Sequence, residues 1–154
     1  MTTAEQLEAI PAITGRSLVD PKLFERLSAR VAIENGTDRA TAERIMDQAL
    51  AFLGTCAVST ATLAPSETVD LGWHTFLFHT REYAEFCDRI AGRFIHHVPT
   101  DDESESEGAA SVWHTTATMV AAGYVVDAPM WERSGNCSQC HNGCHNDPPP
   151  DPKK

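Results

Sequence analysis

Residues 70–97, DLGWHTFLFHTREYAEFCDRIAGRFIHH, constrain this chain more than any other stretch. Their apolar side chains recur at helical spacing. At about 100° per residue, Trp73, Phe76, Leu77, Tyr83, Ala84, Phe86, Cys87 and Ile90 share roughly half the circumference of one helix ending near Gly92. A stripe so wide and so aromatic needs other helices to cover it, which points to a helical bundle. On the same wheel Asp70, His74, Arg81 and Asp88 fall together on one border of the stripe, at i, i+4, i+11 and i+18. That border makes Asp70, His74 and Arg81 candidate site residues. His79 projects toward the opposite edge and reads as solvent-facing, and Cys87, mid-stripe, reads as a buried thiol.

The remaining segments supply the partners. Asp20-Pro21 is an N-cap acid followed by proline at the first helical position. Phe24, Leu27 and Val31 then follow at helical spacing until Asn35-Gly36 stops the helix. Thr37-Asp38 opens a second helix with Ile45, Ala49, Phe52, Leu53 and Cys56 on one face, which makes Cys56 a core residue. Residues 57–69 read as a polar connection containing Pro65. Five carboxylates within residues 101–107 read as a solvated loop, because the stretch lacks the glycine turn and ordered ligand spacing of a calcium loop. Residues 110–122 make a fourth helix with Val112, Thr116, Met119 and Val120 inward, capped by Gly123 and followed by a turn at Asp127-Ala128-Pro129. Residues 1–18 are a weak lead-in broken at Pro11 and Gly15. The expected fold is therefore all-α: a compact bundle of about four main helices over residues 1–133, with a Cys/His-rich, Pro-rich irregular tail over 134–154.

Charge narrows the function classes. The formal net charge of −10 opposes binding to nucleic acid and to an anionic membrane surface. No run reaches the roughly 18 apolar residues of a membrane span. The first residues lack the basic and apolar regions of a secretory signal, so a cytoplasmic location is expected. There, the five cysteines read as thiols or metal ligands rather than disulfides. No Gly-x-Ser-x-Gly elbow or phosphate-cradling glycine loop is present. The segment around 110–131 lacks the basic recognition helix of a helix-turn-helix.

The strongest short motif is Cys137-x-x-Cys140-His141-x-x-Cys144-His145. Five soft or borderline donors within nine residues, in a tail with no apolar periodicity, point to a metal. A second ligand pair well separated in the chain is the usual complement, and the tail offers none. The expected ligand set is therefore Cys137, Cys140 and Cys144 with body imidazoles from His96, His97 and His74. Zinc suits these donors best; iron and copper are open alternatives. Asp70, one turn before His74, can hold that imidazole for metal ligation or for general-base work. The plainer alternative is a first-turn acid stabilising a helix N-terminus.

Three other readings of the tail compete. One is a c-type haem attachment, since Cys137-Ser-Gln-Cys140-His141 matches that pattern but needs export. The others are a redox dithiol lacking its βαβ setting, and a flexible tail whose thiols have no fixed partner. The function read from these residues is a cytoplasmic metal-binding protein. Its rivals are a small metalloenzyme with an open metal position beside Asp70, His74 and Arg81, and a non-enzymatic precursor or interaction protein whose tail is modified or bound by a protein partner.

Val69-Asp70-Leu71-Gly72-Trp73-His74, followed by Thr80, Tyr83, Phe86-Cys87, Gly92 and Ile95-His96-His97, resembles a known family. It is similar to the small bacterial proteins labelled glycine-rich domain-containing protein-like, whose hallmark is a D-x-x-W-H helix. The resemblance spans residues 20–97. A Gly-Tyr-Val-Val-Asp…Met-Trp piece at 123–131, with a Cys-x-x-Cys tail beyond it, is similar to bacterial members as well. The resemblance implies that Asp70, Trp73, His74, Cys87 and His96/His97 form a recurring pattern, and it carries no activity. Replacing Cys137 and Cys140 together by serine is expected to release metal and leave the helical circular dichroism of the body unchanged. Full metal stoichiometry in the double variant would defeat ligation by these two thiols.

Overall fold

The structure is a computed structural model that describes residues 12–99, 105–132 and 144–149, with the backbone alone for 105–111 and Cys144. Among the described residues five helices make up the body: α1 (Pro21–Asn35), α2 (Arg39–Val58), α3 (Glu67–Phe78), α4 (Thr80–Ala91) and α5 (Glu105–Ala121). Short 3-10 turns lie at Gly15–Leu18 and Ala128–Trp131. The all-α expectation holds.

Local chemistry sets the first two helices where expected. The Asp20 carboxylate accepts from the Lys22 amide, and Gly36 ends α1 at φ 63°, a left-handed conformation that glycine adopts at no steric cost. Asp38 accepts from the Thr41 amide at 2.6 Å to open α2. Residues around the whole circumference of α2 are buried, including Ile45, Met46, Gln48, Ala49, Leu50, Phe52, Leu53, Thr55 and Cys56. A helix covered on every side is the centre of a fold rather than one of its faces. Accordingly α1, α3, α4, α5 and both 3-10 turns all touch it.

The single helix expected over 70–92 is two. α3 stops at Phe78 and α4 starts at Thr80, with His79 at φ −89°, ψ 68° between them. Neither glycine nor proline causes the break. The His79 ring does: its Nδ1–H donates to the Thr75 carbonyl at 3.0 Å. The His79 amide, which would take that carbonyl in a continuous helix, bonds Phe76 O at 2.9 Å instead. His79 is therefore half-buried rather than solvent-facing. The elbow lets both helices turn aromatics inward, with Phe76 edge-on to Tyr83 and tilted on Phe86 at about 5 Å between centroids. It also ends the shared strip on the wheel, since Arg81 and Asp88 belong to a differently directed helix, and Ala84 is exposed.

Two further segments differ from expectation. The connection before α3 is not a polar surface loop. Leu63, Ala64, Pro65 and Ser66 are buried, and Ser66 caps α3 while its hydroxyl donates to Met130 O at 2.6 Å. α5 begins at Glu105, inside the acidic stretch, and its inward face follows Val112, Thr115 and Met119, leaving Val120 62 % exposed. The Thr115 hydroxyl accepts from the Ala64 amide at 3.0 Å, so α5 packs onto that buried connection.

Part of the tail returns to the body. Strands β1 (Val98–Pro99) and β2 (Cys144–His145) pair antiparallel, with Val98 opposite His145 and Pro99 opposite Cys144. Asn146 is fully buried; its amide donates to Leu63 O at 3.1 Å and its Oδ1 accepts from Leu63 N at 2.6 Å. Among the described residues no helix is long and apolar enough to cross a membrane.

Gly72 lets α3 lie against α2: a Cβ there would stand 2.7 Å from Ala49 Cβ and 3.1 Å from Ile45 O. Gly72→Ala gains about 1 kcal/mol of helix propensity but forces two backbones apart at about 1–3 kcal/mol. Urea unfolding is therefore expected to show net destabilisation. Asp127 receives a bidentate pair from Arg44 at 2.7 and 2.8 Å. Those hydrogen bonds and the Arg44 charge, with burial opposing, hold its carboxyl below the usual carboxylate range. A depressed folded pKa stabilises above the unfolded aspartate value of about 3.9 and loses that contribution as pH falls. The stability gap between wild type and Asp127→Asn should therefore narrow below about pH 4.

Candidate metal centre

Ser66 opens α3 by accepting the Val69 amide at 3.1 Å. That start places Asp70 in the first turns and His74 one turn later, on the same face. Opposite them, the chain leaves α4 at Gly92 (φ 68°), bends at Arg93 and runs without helix through residues 94–97 into β1. Along this run Ile95 is buried, His96 exposed and His97 half-buried, as alternation in an extended chain requires. The His97 ring leans on the Trp73 indole, 4.3 Å between centroids.

Three groups then meet at one point. His97 Nε2 lies 2.8 Å from Asp70 Oδ1, His74 Nε2 lies 3.0 Å from Asp70 Oδ2, and the two Nε2 atoms are 2.9 Å apart. Each Nε2 presents a single in-plane valence, either a proton or a lone pair. It can thus make one directed hydrogen bond, so no arrangement of protons satisfies all three contacts. One cation between them would. Ligands of tetrahedral zinc stand about 3.3 Å apart when their bonds are about 2.0–2.1 Å, so the three groups, at 2.8–3.0 Å, would spread slightly to take that geometry. Among the described residues this is the group of His, Cys, Asp and Glu donors that converges, all within 4.8 Å of one another. Burial works against the Asp70 charge, but the hydrogen bonds and charges of the two imidazoles outweigh it and hold the carboxyl below its ordinary range. The ionised form, the one that can ligate a metal, is therefore the favoured form of the Asp70 carboxyl.

A buried relay holds the two halves of the site together. The Trp73 indole N–H donates to the Tyr83 hydroxyl at 3.0 Å, and that hydroxyl donates to the Ile95 carbonyl. α3, α4 and the His97 segment are thereby joined through groups that are all buried.

The sequence-derived candidates divide as follows. Asp70, His74 and His97 are brought together, with the Asp70 carboxylate at the shared point rather than behind an imidazole. His96 lies outside the group; its ring tilts against Phe94, 4.7 Å between centroids, and its amide donates to Asp147 Oδ1 at 2.7 Å. Arg81 is exposed on α4, beyond the elbow. Cys137 and Cys140 lie outside the described residues, and Cys144 is described by its backbone, paired opposite Pro99. Cys56 and Cys87 are fully buried, and burial pushes both thiols up, away from the reactive thiolate. The contributions of Tyr83 and of Asn146-Asp147 were not evident from spacing. For Tyr83 the available signal was its hydroxyl, which a buried tyrosine must place.

Fold and geometry together define a helical protein with a candidate two-histidine, one-carboxylate centre at the edge of its core. The chain belongs to the UCP032817-like family, whose model matches residues 15–120 and so spans all three converging residues. That family's description names neither a glycine-rich region nor an activity. No curated protein and no solved structure matches the chain. Tyr83→Phe should strand both the Trp73 N–H and the Ile95 carbonyl in the core. Urea denaturation is expected to show a loss of about 1–3 kcal/mol in unfolding free energy, with the His97 segment held less firmly to α4.

Proposed function

We propose that this protein binds a divalent transition metal, zinc foremost, through Asp70 Oδ, His74 Nε2 and His97 Nε2. The observation that carries the reading is the convergence of two single-valence imidazole nitrogens and a carboxylate on one point at 2.8–3.0 Å. Imidazole and carboxylate donors suit zinc and iron(II) alike, and zinc needs no redox partner. A tail thiolate is the natural fourth ligand: the β1–β2 register sets Cys144 opposite Pro99, two residues beyond His97, and Cys137 and Cys140 precede it in the chain. With four protein ligands the site is closed and structural.

A second reading, a small metalloenzyme, is favoured by one observation: the His74 side chain is 52 % exposed, so the site opens toward solvent on that side. A water on the metal would then hold the fourth position and be acidified by it. In that reading Asp70 serves as ligand rather than base, and Arg81, exposed on α4, is not among the converging donors.

Elemental analysis of protein purified under reducing conditions should find one metal per chain. Asp70→Ala and His97→Ala should each cost more affinity than the roughly 10–100-fold typical of losing an outer-shell partner. Cobalt(II) substitution separates the two readings. A thiolate charge-transfer band marks the closed site, whereas visible bands that shift on adding azide mark an exchangeable position. No metal in the wild type and no cobalt spectrum would sink both.

A further inference from the structure

The two halves of the proposed centre differ in how they are held. Asp70 and His74 ride on α3, which Gly72 seats directly against the buried α2. His97 belongs to no helix. Its segment is fixed from inside by the Tyr83 hydroxyl on Ile95 O, and from outside by residues 144–147 of the tail. Asp147 does most on that outer side. Its Oδ1 accepts the His96 amide at 2.7 Å, and its backbone carbonyl accepts from Arg93 Nη1 at 2.8 Å. Next to it, the buried Asn146 brackets Leu63 with two hydrogen bonds, and His145 pairs with Val98. The tail thus grips the chain on both sides of His97, through the amide of residue 96 and the ladder at residue 98.

We propose that Asp147 is a positioning residue of the metal centre, and that docking of residues 144–147 and metal binding at Asp70, His74 and His97 are coupled, each strengthening the other. The proposal rests on the metal-binding reading above. Its physical basis is direct: the bond to the His96 N–H orients the peptide that leads into His97, and hence the direction in which that imidazole leaves the backbone. With the bond gone, His97 must be ordered at the moment metal binds, and that cost weakens affinity. Reciprocity then requires bound metal to tighten the tail by the same factor. In this way an event on the tail, including modification or capture of its thiols, is read at a site to which those thiols need contribute no ligand.

Zinc affinity is measured on the full chain by competition with a chromophoric chelator, for wild type, Asp147→Ala, Asp147→Asn and Asp70→Ala. Asp147→Ala is expected to bind zinc about 10- to 100-fold more weakly, the range for groups that stand behind ligands. Its metal-free helical circular dichroism and denaturation midpoint should stay close to wild type. Asp147→Asn retains the Oδ1 acceptor and should recover most of the affinity, which a charge effect alone would not predict. Zinc added to the wild type should shift the amide resonances of His96 and of residues 145–147. Wild-type affinity in Asp147→Ala overturns the coupling while leaving the metal site standing. Wild-type affinity in Asp70→Ala overturns the site itself and the coupling with it. Should Asp147→Ala fail to fold, the wild-type titration decides: zinc that binds and leaves those amides unmoved overturns the proposal.

Discussion

A buried indole N–H must find an acceptor, and in this protein the acceptor is the Tyr83 hydroxyl. That one contact explains why several other features take the form they do. Tyr83 reaches Trp73 because the chain bends at His79, which turns the Tyr83 side chain of α4 back onto Trp73 and Phe76 of α3. The hydroxyl has a proton left to give, and it gives it to Ile95 O, drawing the segment after α4 across the face of Trp73. His97 is then pressed on the indole from outside while Phe52 of α2 tilts against it from within, 5.2 Å between centroids. Trp73 is thus shared between core and site, and the D-x-x-W-H spacing has a physical reading. The acid and the imidazole sit one turn apart on the outer face, and the indole between them anchors the helix and backs the second imidazole.

Much of this was legible from residues alone, and what was not has specific causes. The ends of α1 and most of α2 are encoded within four residues of themselves, in Asp20-Pro21, Gly36 and Asp38, so spacing and capping find them. The elbow is encoded in a side chain competing for a backbone carbonyl, with no glycine or proline to announce it. A wheel drawn straight through it put Arg81 on one strip with His74, whereas the two lie on different helices. Asp70 with His74 was readable because both lie on one uninterrupted helix. The choice between His96 and His97 needed the phase of the extended chain, and the burial of Ile95 carries it: residue 97, not 96, shares its side. Asn146 and Asp147 gave no local signal, since their partners Leu63 and His96 stand 83 and 51 residues away in the chain.

The donor set also revises the relation between body and tail. Thiols dominate the tail motif by count, and soft donors draw attention to themselves. Among the described residues the geometry assembles three harder donors on the body, and brings residues 144–147 of the tail alongside through backbone pairing and two polar side chains. Where the described part of the tail meets the body, the seam is polar, built from Asn146 and Asp147. Such seams hold register well and contribute little net stability, because each hydrogen bond replaces one to water.

The burial of α2 on all sides between Ile45 and Cys56 carries a consequence for how the molecule opens. A stretch with almost no solvent-facing side cannot leave the structure by itself, so its amides, and those of α3 seated on it, are expected to exchange with solvent mainly when the whole fold comes apart. The run from Gly92 to Pro99, with residues 144–149 over it, is held mainly through Ile95 and Asn146, and is expected to open before the five helices do. The protein therefore carries a graded order of opening, in which Asp70 and His74 remain on the part that is last to yield and His97 on the part that yields first.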